Sequence, residues 1–131
     1  MLSRFVRGFA PVAVVCCLLL AASAPAAGPT IDTRGLHALL RGAPESVFLL
    51  DVRTPREYAA GRVSGSVLIP MNQVPSRLAE IPKDKRVVVV CASGARSAAV
   101  VDYLLRNGYP EAVNYSGGVF DWTRNGLPVE K

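Results

Sequence analysis

Residues 86–97 read RVVVVCASGARS, an apolar run followed directly by small and polar residues. Four consecutive valines place β-branched side chains on both faces of an extended chain, which predicts a strand that is covered on both sides, as in a parallel sheet. After the loop that begins at Cys91, the segment from Ser97 to Asn107 carries apolar residues at helical spacing. The stretch therefore predicts a buried strand, a tight loop and a helix, in that order.

Shorter segments on either side alternate between the same two kinds of element. Apolar runs predict further short strands at residues 47–50, 67–69 and 113–115. Helices are predicted at residues 32–42, 54–60, 75–80 and 119–125. The clearest helix start is a capping box formed by Thr54 and Glu57, with Pro55 at the first helical position. This alternation predicts an α/β fold, in which a parallel sheet of about five short strands carries helices on both faces.

The first 27 residues have the composition of an export signal. Arg4 and Arg7 precede an uncharged apolar stretch that ends in alanines, with Ala24 and Ala26 as the preferred cleavage signal. We expect residues 1–27 to be a signal peptide and residues 28–131 to form one domain that is exported to the periplasm. The alternative is an uncleaved anchor, because roughly 20 apolar residues can span a bilayer. A membrane partner is expected only in that second case.

Removal of this segment leaves Cys91 as the only cysteine and His37 as the only histidine. One cysteine and one histidine are too few for a zinc site within a single chain, and neither a metal nor another cofactor is predicted. Without Arg4 and Arg7, 13 basic residues face 10 acidic ones, and this scattered formal charge of +3 predicts no nucleic-acid partner. An unpaired cysteine in an oxidising compartment is either a buried inert thiol or a reactive one.

The loop at residues 91–97 has the features of an anion-binding loop. A turn between a strand and a helix directs backbone N–H groups toward one point, and Gly94 allows the chain to turn sharply there. Such donors lower the pKa of a thiol from its usual value near 8.5, and a neighbouring guanidinium adds to the effect. We therefore predict that Cys91 is a reactive thiolate and that Arg96 supplies part of its stabilisation.

The loop and several other short stretches together resemble a rhodanese domain over about residues 30–129. These stretches are Asp51-Val52-Arg53 with Glu57 and Tyr58, the run from Gly61 to Ser66, Ile69-Pro70, and Gly117-Gly118 with Trp122. Among the members of that family, the chain is similar to the single-domain exported phage-shock type. The resemblance implies a sulfurtransferase that moves sulfur from a donor such as thiosulfate to an acceptor such as cyanide or a thiol. Cys91 would carry that sulfur as a persulfide.

The same resemblance implies a role for each residue of the loop and for two residues outside it. It assigns catalysis to Cys91. It assigns binding of a small sulfur-containing anion to the rest of the loop, which is Ala92, Ser93, Gly94, Ala95, Arg96 and Ser97. Asp51 and Arg53 are expected to hold neighbouring loops by hydrogen bonds. Two positions depart from the family pattern: Ala92 replaces a residue that is often arginine or another polar residue, so weak thiosulfate affinity is expected, and Arg62 replaces a frequent histidine.

Two other functions would use a similar site. Cysteine phosphatases and arsenate reductases place five residues between cysteine and arginine, whereas four separate Cys91 from Arg96, and Val90 stands where phosphatases usually place histidine. This spacing argues against phosphate hydrolysis. A sulfur-carrier or redox-sensing module without turnover would use the same residues as the enzyme, so the sequence supports both. No oligomeric state is predicted.

Overall fold

The structure, a computed structural model, describes residues 28–131, so the predicted signal peptide lies outside the described residues. The strands are β1 (Thr30–Ile31), β2 (Val47–Asp51), β3 (Arg62–Val63), β4 (Val67–Leu68), β5 (Arg86–Val90), β6 (Val113–Tyr115) and β7 (Val129–Glu130). The α-helices are α1 (Thr33–Gly42), α2 (Pro55–Ala60), α3 (Ala95–Arg106) and α4 (Gly118–Arg124). Short 3-10 helices lie at Pro44–Ser46, Met71–Gln73 and Pro75–Glu80. Between residues 28 and 131, no helix combines the length and the apolar character that crossing a membrane requires.

Five strands form one parallel sheet in the order β1-β6-β5-β2-β4. The strand β5 lies at its centre and pairs with β2 along its whole length, from Val47 opposite Arg86 to Asp51 opposite Val90. The predicted parallel α/β sheet is therefore confirmed. The remaining strands, β3 and β7, form a separate antiparallel pair.

Alternate residues of β5 pack against helices on opposite faces of the sheet. Val87, Val89 and Cys91 belong to the core layer that contains α3, together with Val100 and Leu104. The intervening valines of β5 belong to the layer that contains residues of α1 and α4, which are Leu36, Val119 and Trp122. The predicted helices on both faces are therefore confirmed, and the alternation directs the side chain of Cys91 toward the α3 side.

Local signals account for the helix starts near the site. Thr54 and Glu57 form the predicted capping box at the start of α2, since each side chain bonds the other's backbone N–H. The helix α3 begins at Ala95, two residues before the predicted start at Ser97. Ala95 and Arg96 interrupt the apolar spacing on which the prediction relied, but Gly94 turns the chain early enough for both to join the first helical turn.

Candidate active site

Cys91 lies directly after the central strand, at the carboxyl edge of the sheet. Its side chain is completely buried. The Sγ atom accepts a hydrogen bond from the backbone N–H of Gly94 at 3.1 Å and lies 3.2 Å from the Oγ of Ser97. The predicted loop therefore surrounds the thiol with donors that belong to the turn and to the first turn of α3.

Gly94 is required at the turn for two reasons. Its φ of +95° lies in the left-handed region, which glycine occupies without the strain that a side chain would add. A Cβ at this position would stand 2.4 Å from the backbone oxygen of Ser116. The side chain of Asn114, on β6, donates to the backbone oxygen of Gly94 at 3.1 Å and fixes the turn from the other side.

The start of α4 binds the first two residues of the loop, Cys91 and Ala92. The backbone N–H groups of Val119 and Phe120 donate to the carbonyl oxygens of Cys91 at 2.9 Å and Ala92 at 3.1 Å. A Cβ on Gly118, whose φ is +64°, would approach the Ala92 oxygen to 2.2 Å, so only glycine allows this contact. The Gly117-Gly118 pair is visible in the sequence, but the contact of Gly118 with the loop depends on tertiary packing and was not predicted.

Burial and hydrogen bonding act in opposite directions on the Cys91 thiol. Burial raises its pKa, because the charged form loses its contact with water. The hydroxyl of Ser97 and the backbone N–H groups of Ser97, Ser93 and Gly94 lower the pKa, and together they outweigh burial. The net result is a pKa below that of an ordinary thiol, which favours the nucleophilic thiolate.

Arg96, which was predicted to stabilise the thiolate in part, forms an ion pair with a carboxylate beside the loop. Its guanidinium donates to both carboxylate oxygens of Glu57, at 2.8 Å each. This pairing, with Thr54 as a further donor, lowers the pKa of Glu57 to about 2 despite partial burial. Attraction to the Cys91 thiolate also raises the pKa of Arg96, but by less than the hydrogen bonds to Glu57 do. The hydroxyl and backbone donors of the loop therefore carry most of the stabilisation.

Asp51 and Arg53 form a buried ion pair at the same edge of the sheet, with 2.7 Å between Nη2 and Oδ2. The guanidinium of Arg53 also donates to the backbone oxygens of Gly61 at 2.9 Å and Glu57 at 3.3 Å. These bonds tie the end of β2 to the end of α2. The structural role of Asp51 and Arg53 in holding neighbouring loops stays a prediction.

The other loop residues differ in their access to solvent. Ser93 and Ala95 are exposed, Arg96 is half-buried, and Ala92, Gly94 and Ser97 are buried. Two clefts open beside the loop. The wide cleft, of about 660 Å³, is lined by Glu57, Phe120 and Val129 among others, and the narrow cleft, of about 380 Å³, by Arg96 and Met71 among others. No cluster of metal-ligating side chains lies within residues 28–131.

Comparison with known proteins gives the same relationship at the level of sequence and of structure. The family model for the rhodanese-like domain matches residues 33–125. A sulfurtransferase of Allochromatium vinosum is 43% identical over 76% of this chain and 92% of its own length. A putative sulfurtransferase of Bacillus subtilis, YtwF, is 39% identical over 61% of this chain and 77% of its own.

A solved structure extends the likeness to the fold. The crystal structure of a rhodanese-like domain protein from Staphylococcus aureus matches with a TM-score of 0.70 and 38% identity, over 79% of this chain and 100% of that one. A family model that spans most of the described domain, and a relative with 43% identity, show that this chain belongs to the rhodanese-like domain family.

Proposed function

We propose that this protein is a sulfurtransferase that carries sulfur as a persulfide on Cys91, between a donor such as thiosulfate and an acceptor such as cyanide or a thiol. The observation that carries the proposal is the Cys91 Sγ enclosed by the Gly94 N–H and the Ser97 hydroxyl. The names of the two curated relatives support sulfur transfer in general. Thiosulfate as donor, and cyanide or a thiol as acceptor, are proposed from the resemblance of the sequence to the rhodanese family.

The reaction has two displacement steps. In the first, the Cys91 thiolate attacks the outer sulfur of thiosulfate, the S–S bond of the donor breaks, and sulfite leaves with the bonding electron pair. In the second, cyanide or a thiolate attacks the terminal sulfur of the Cys91 persulfide, and the S–S bond of that persulfide breaks. Thiocyanate or a new persulfide departs, and the electron pair regenerates the Cys91 thiolate. Both forms of Cys91, the thiolate and the persulfide, therefore carry a negative charge on sulfur at nearly the same position.

The same donors can serve both forms. A persulfide is one atom longer than a thiolate and also carries a negative charge, so preorganised N–H and O–H groups stabilise it without rearrangement. The loop provides these groups from Gly94, Ser93 and Ser97. Arg96 is also proposed to bind the anionic donor. Its ability to do so depends on Glu57, because both terminal nitrogens of Arg96 donate to the Glu57 carboxylate.

Intact mass and turnover test the proposal together. Treatment of the purified protein with thiosulfate is expected to add the mass of about one sulfur atom, and thiosulfate with cyanide is expected to give thiocyanate continuously. Cys91→Ser is expected to lose both. Mass gain without turnover on any acceptor would assign a carrier role instead, and full activity in Cys91→Ser would reject both. Measurable hydrolysis of p-nitrophenyl phosphate would favour the phosphatase alternative.

We also infer that residues 1–27 direct export, as a cleaved signal peptide or as an anchor. The support is the sequence alone: two early arginines, an apolar centre and an alanine-rich end. Expression of the full chain followed by fractionation and intact mass is expected to find a shortened protein in the periplasm. A full-length protein in the cytoplasm would contradict export, and a full-length protein in the membrane would assign the anchor.

A further inference from the structure

The ion pair of Glu57 and Arg96 stands between the two clefts beside the Cys91 loop. Glu57 lines the wide cleft, Arg96 lines the narrow cleft, and Arg53 lines both. The pair joins residues 39 positions apart, and it connects the first turn of α2 to the first turn of α3. A reagent that enters from either cleft therefore meets this pair next to the loop.

Arg53 and Arg96 are each paired with a carboxylate, and Arg124 and Lys131 are further cations that line the wide cleft. The guanidinium of Arg53 is matched by the carboxylate of Asp51, and that of Arg96 by the carboxylate of Glu57. The pKa of Glu57 is about 2, because Arg96 and Thr54 donate to it, so Glu57 is charged throughout the neutral pH range. The guanidinium groups of Arg53 and Arg96 are therefore already neutralised when an anion approaches between the clefts.

We propose that Glu57 sets the charge preference of the Cys91 site. By neutralising Arg96, it disfavours the dianion thiosulfate relative to sulfur donors with one charge or none, such as thiosulfonates and organic persulfides. The inference rests on the proposed sulfur transfer through Cys91 and narrows its donor class. The physical reason is that a dianion loses more hydration than a monoanion when it approaches a buried thiolate, and an unmatched cation would be needed to compensate.

The two donor classes differ in charge but not in the step they undergo. With the methanethiosulfonate anion, a methyl group replaces one oxygen of thiosulfate. In both cases the Cys91 thiolate attacks the outer sulfur, the S–S bond of the donor breaks, and the electron pair leaves, with sulfite or with methanesulfinate. No other oxidant or reductant takes part, so a difference in rate between the two donors reports the charge of the site.

The test compares Glu57→Gln with the wild type. Glutamine keeps the length of the side chain and an oxygen that can accept from the Thr54 N–H, so the capping of α2 is retained. The rate of Cys91 persulfide formation, followed by mass, is measured with thiosulfate and with methanethiosulfonate. The ratio of the two rates is expected to shift toward thiosulfate by roughly threefold to tenfold, because one unit charge changes at a partly exposed pair where water screens part of the effect.

Glu80→Gln is the matched control. Glu80 accepts two bonds from Arg77, at 2.7 and 2.9 Å, and so forms the same kind of pair on an exposed 3-10 helix. Its loss is expected to leave the donor ratio unchanged. Arg96→Gln leaves Glu57 unmatched and is expected to shift the ratio away from thiosulfate. The double variant Glu57→Gln with Arg96→Gln restores neutrality and is expected to return the ratio close to that of the wild type.

A second readout does not depend on sulfur transfer. Iodoacetate and iodoacetamide alkylate the same thiolate and differ by one charge, so their rate ratio is independent of any change in the pKa of Cys91. This ratio is expected to shift toward iodoacetate in Glu57→Gln by about the same factor as the donor ratio. A merely structural role of Glu57 would change both alkylation rates together and leave the ratio constant.

The outcomes separate the two proposals. Shifts of both ratios in Glu57→Gln, reversed in the double variant, support the inference. Ratios that stay within twofold of those of Glu80→Gln overturn it, even if Cys91 gains sulfur normally. If no donor adds sulfur to the wild type, the proposed function fails, and the alkylation ratio alone then decides whether Glu57 controls the charge of the site.

Discussion

At the scale of single residues, the chemistry at Cys91 depends on a balance between burial and hydrogen bonding. Burial raises the pKa of the thiol, whereas the Ser97 hydroxyl and the N–H groups of the loop lower that pKa by a larger amount. Ser97 is itself completely buried, so its hydroxyl is held at the thiol and water has little access to replace it. The hydroxyl of Ser97 is therefore the side-chain group on which the thiolate depends most.

Ser97→Ala is expected to raise the pKa of Cys91 and to slow its alkylation by iodoacetamide at pH 7 by about tenfold, the equivalent of one hydrogen bond to a charged group. Ser93→Ala is the control, because the backbone N–H that Ser93 contributes remains in the variant. Equal rates in Ser97→Ala and the wild type would contradict the assigned role of the hydroxyl.

The ion pair of Glu57 gives a prediction about stability and pH. The folded state lowers the pKa of Glu57 from 4.5 to about 2, so this group stabilises the fold above pH 4.5 and loses its contribution as the pH falls through 2. We expect Glu57→Gln to lower the free energy of unfolding at pH 7 by about 1 kcal/mol, after allowance for the partial exposure of the pair. In urea unfolding, the difference should disappear toward pH 2. A constant difference between pH 7 and pH 2 would contradict this assignment.

At the scale of elements, the loop depends on the packing of α4 as much as on its own sequence. Carbonyl oxygens of the loop accept from the first N–H groups of α4, and Asn114 on β6 binds the turn at Gly94. The nest of donors around Cys91 is therefore shaped by three neighbouring elements, α3, α4 and β6. A substitution at the start of α4 should therefore change the reactivity of Cys91 even though the substituted residue does not contact the thiol.

Gly118→Ala tests this connection. A Cβ would stand 2.2 Å from the Ala92 oxygen, in addition to the strain of a φ of +64°, and we expect a loss of stability of about 3 kcal/mol or more and slower alkylation of Cys91. Gly126→Ala is the matched control, since its φ is +71° but no atom lies within 4 Å of the added Cβ. It should cost only about 1 kcal/mol and leave alkylation unchanged. Equal effects of the two substitutions, measured by urea unfolding and alkylation rate, would show that the contact with Ala92 is unimportant.

At the scale of the whole molecule, both core layers meet at the central strand β5. Val88 is completely buried in one layer, whereas Val67 on the edge strand β4 remains 42% exposed. We expect Val88→Ala to lower the free energy of unfolding by about 1.5 to 3 kcal/mol, from lost burial and the remaining cavity, and Val67→Ala by less than about 0.5 kcal/mol. Urea unfolding measures both. A similar small effect at the two positions would contradict the central place of β5 in the core.

Sequence patterns predicted this architecture where the pattern was long or chemically specific. The four valines of β5 and the capping box at Thr54 are such cases. The strands β1, β3 and β7 have two residues each and, unlike β4, do not lie in an apolar run, so their pairing depends on tertiary contacts. The partner of Arg96 was missed for a related reason, because Glu57 lies 39 positions away and its capping role already explained its presence.

The central claim is that the loop at residues 91–97 holds sulfur at position 91 as an anion. The most direct test is the alkylation rate of Cys91 by iodoacetamide as a function of pH, with the product identified by mass. We predict a midpoint below the usual cysteine value of about 8.5, because the donors of the loop outweigh burial. A midpoint at or above that value would contradict the account.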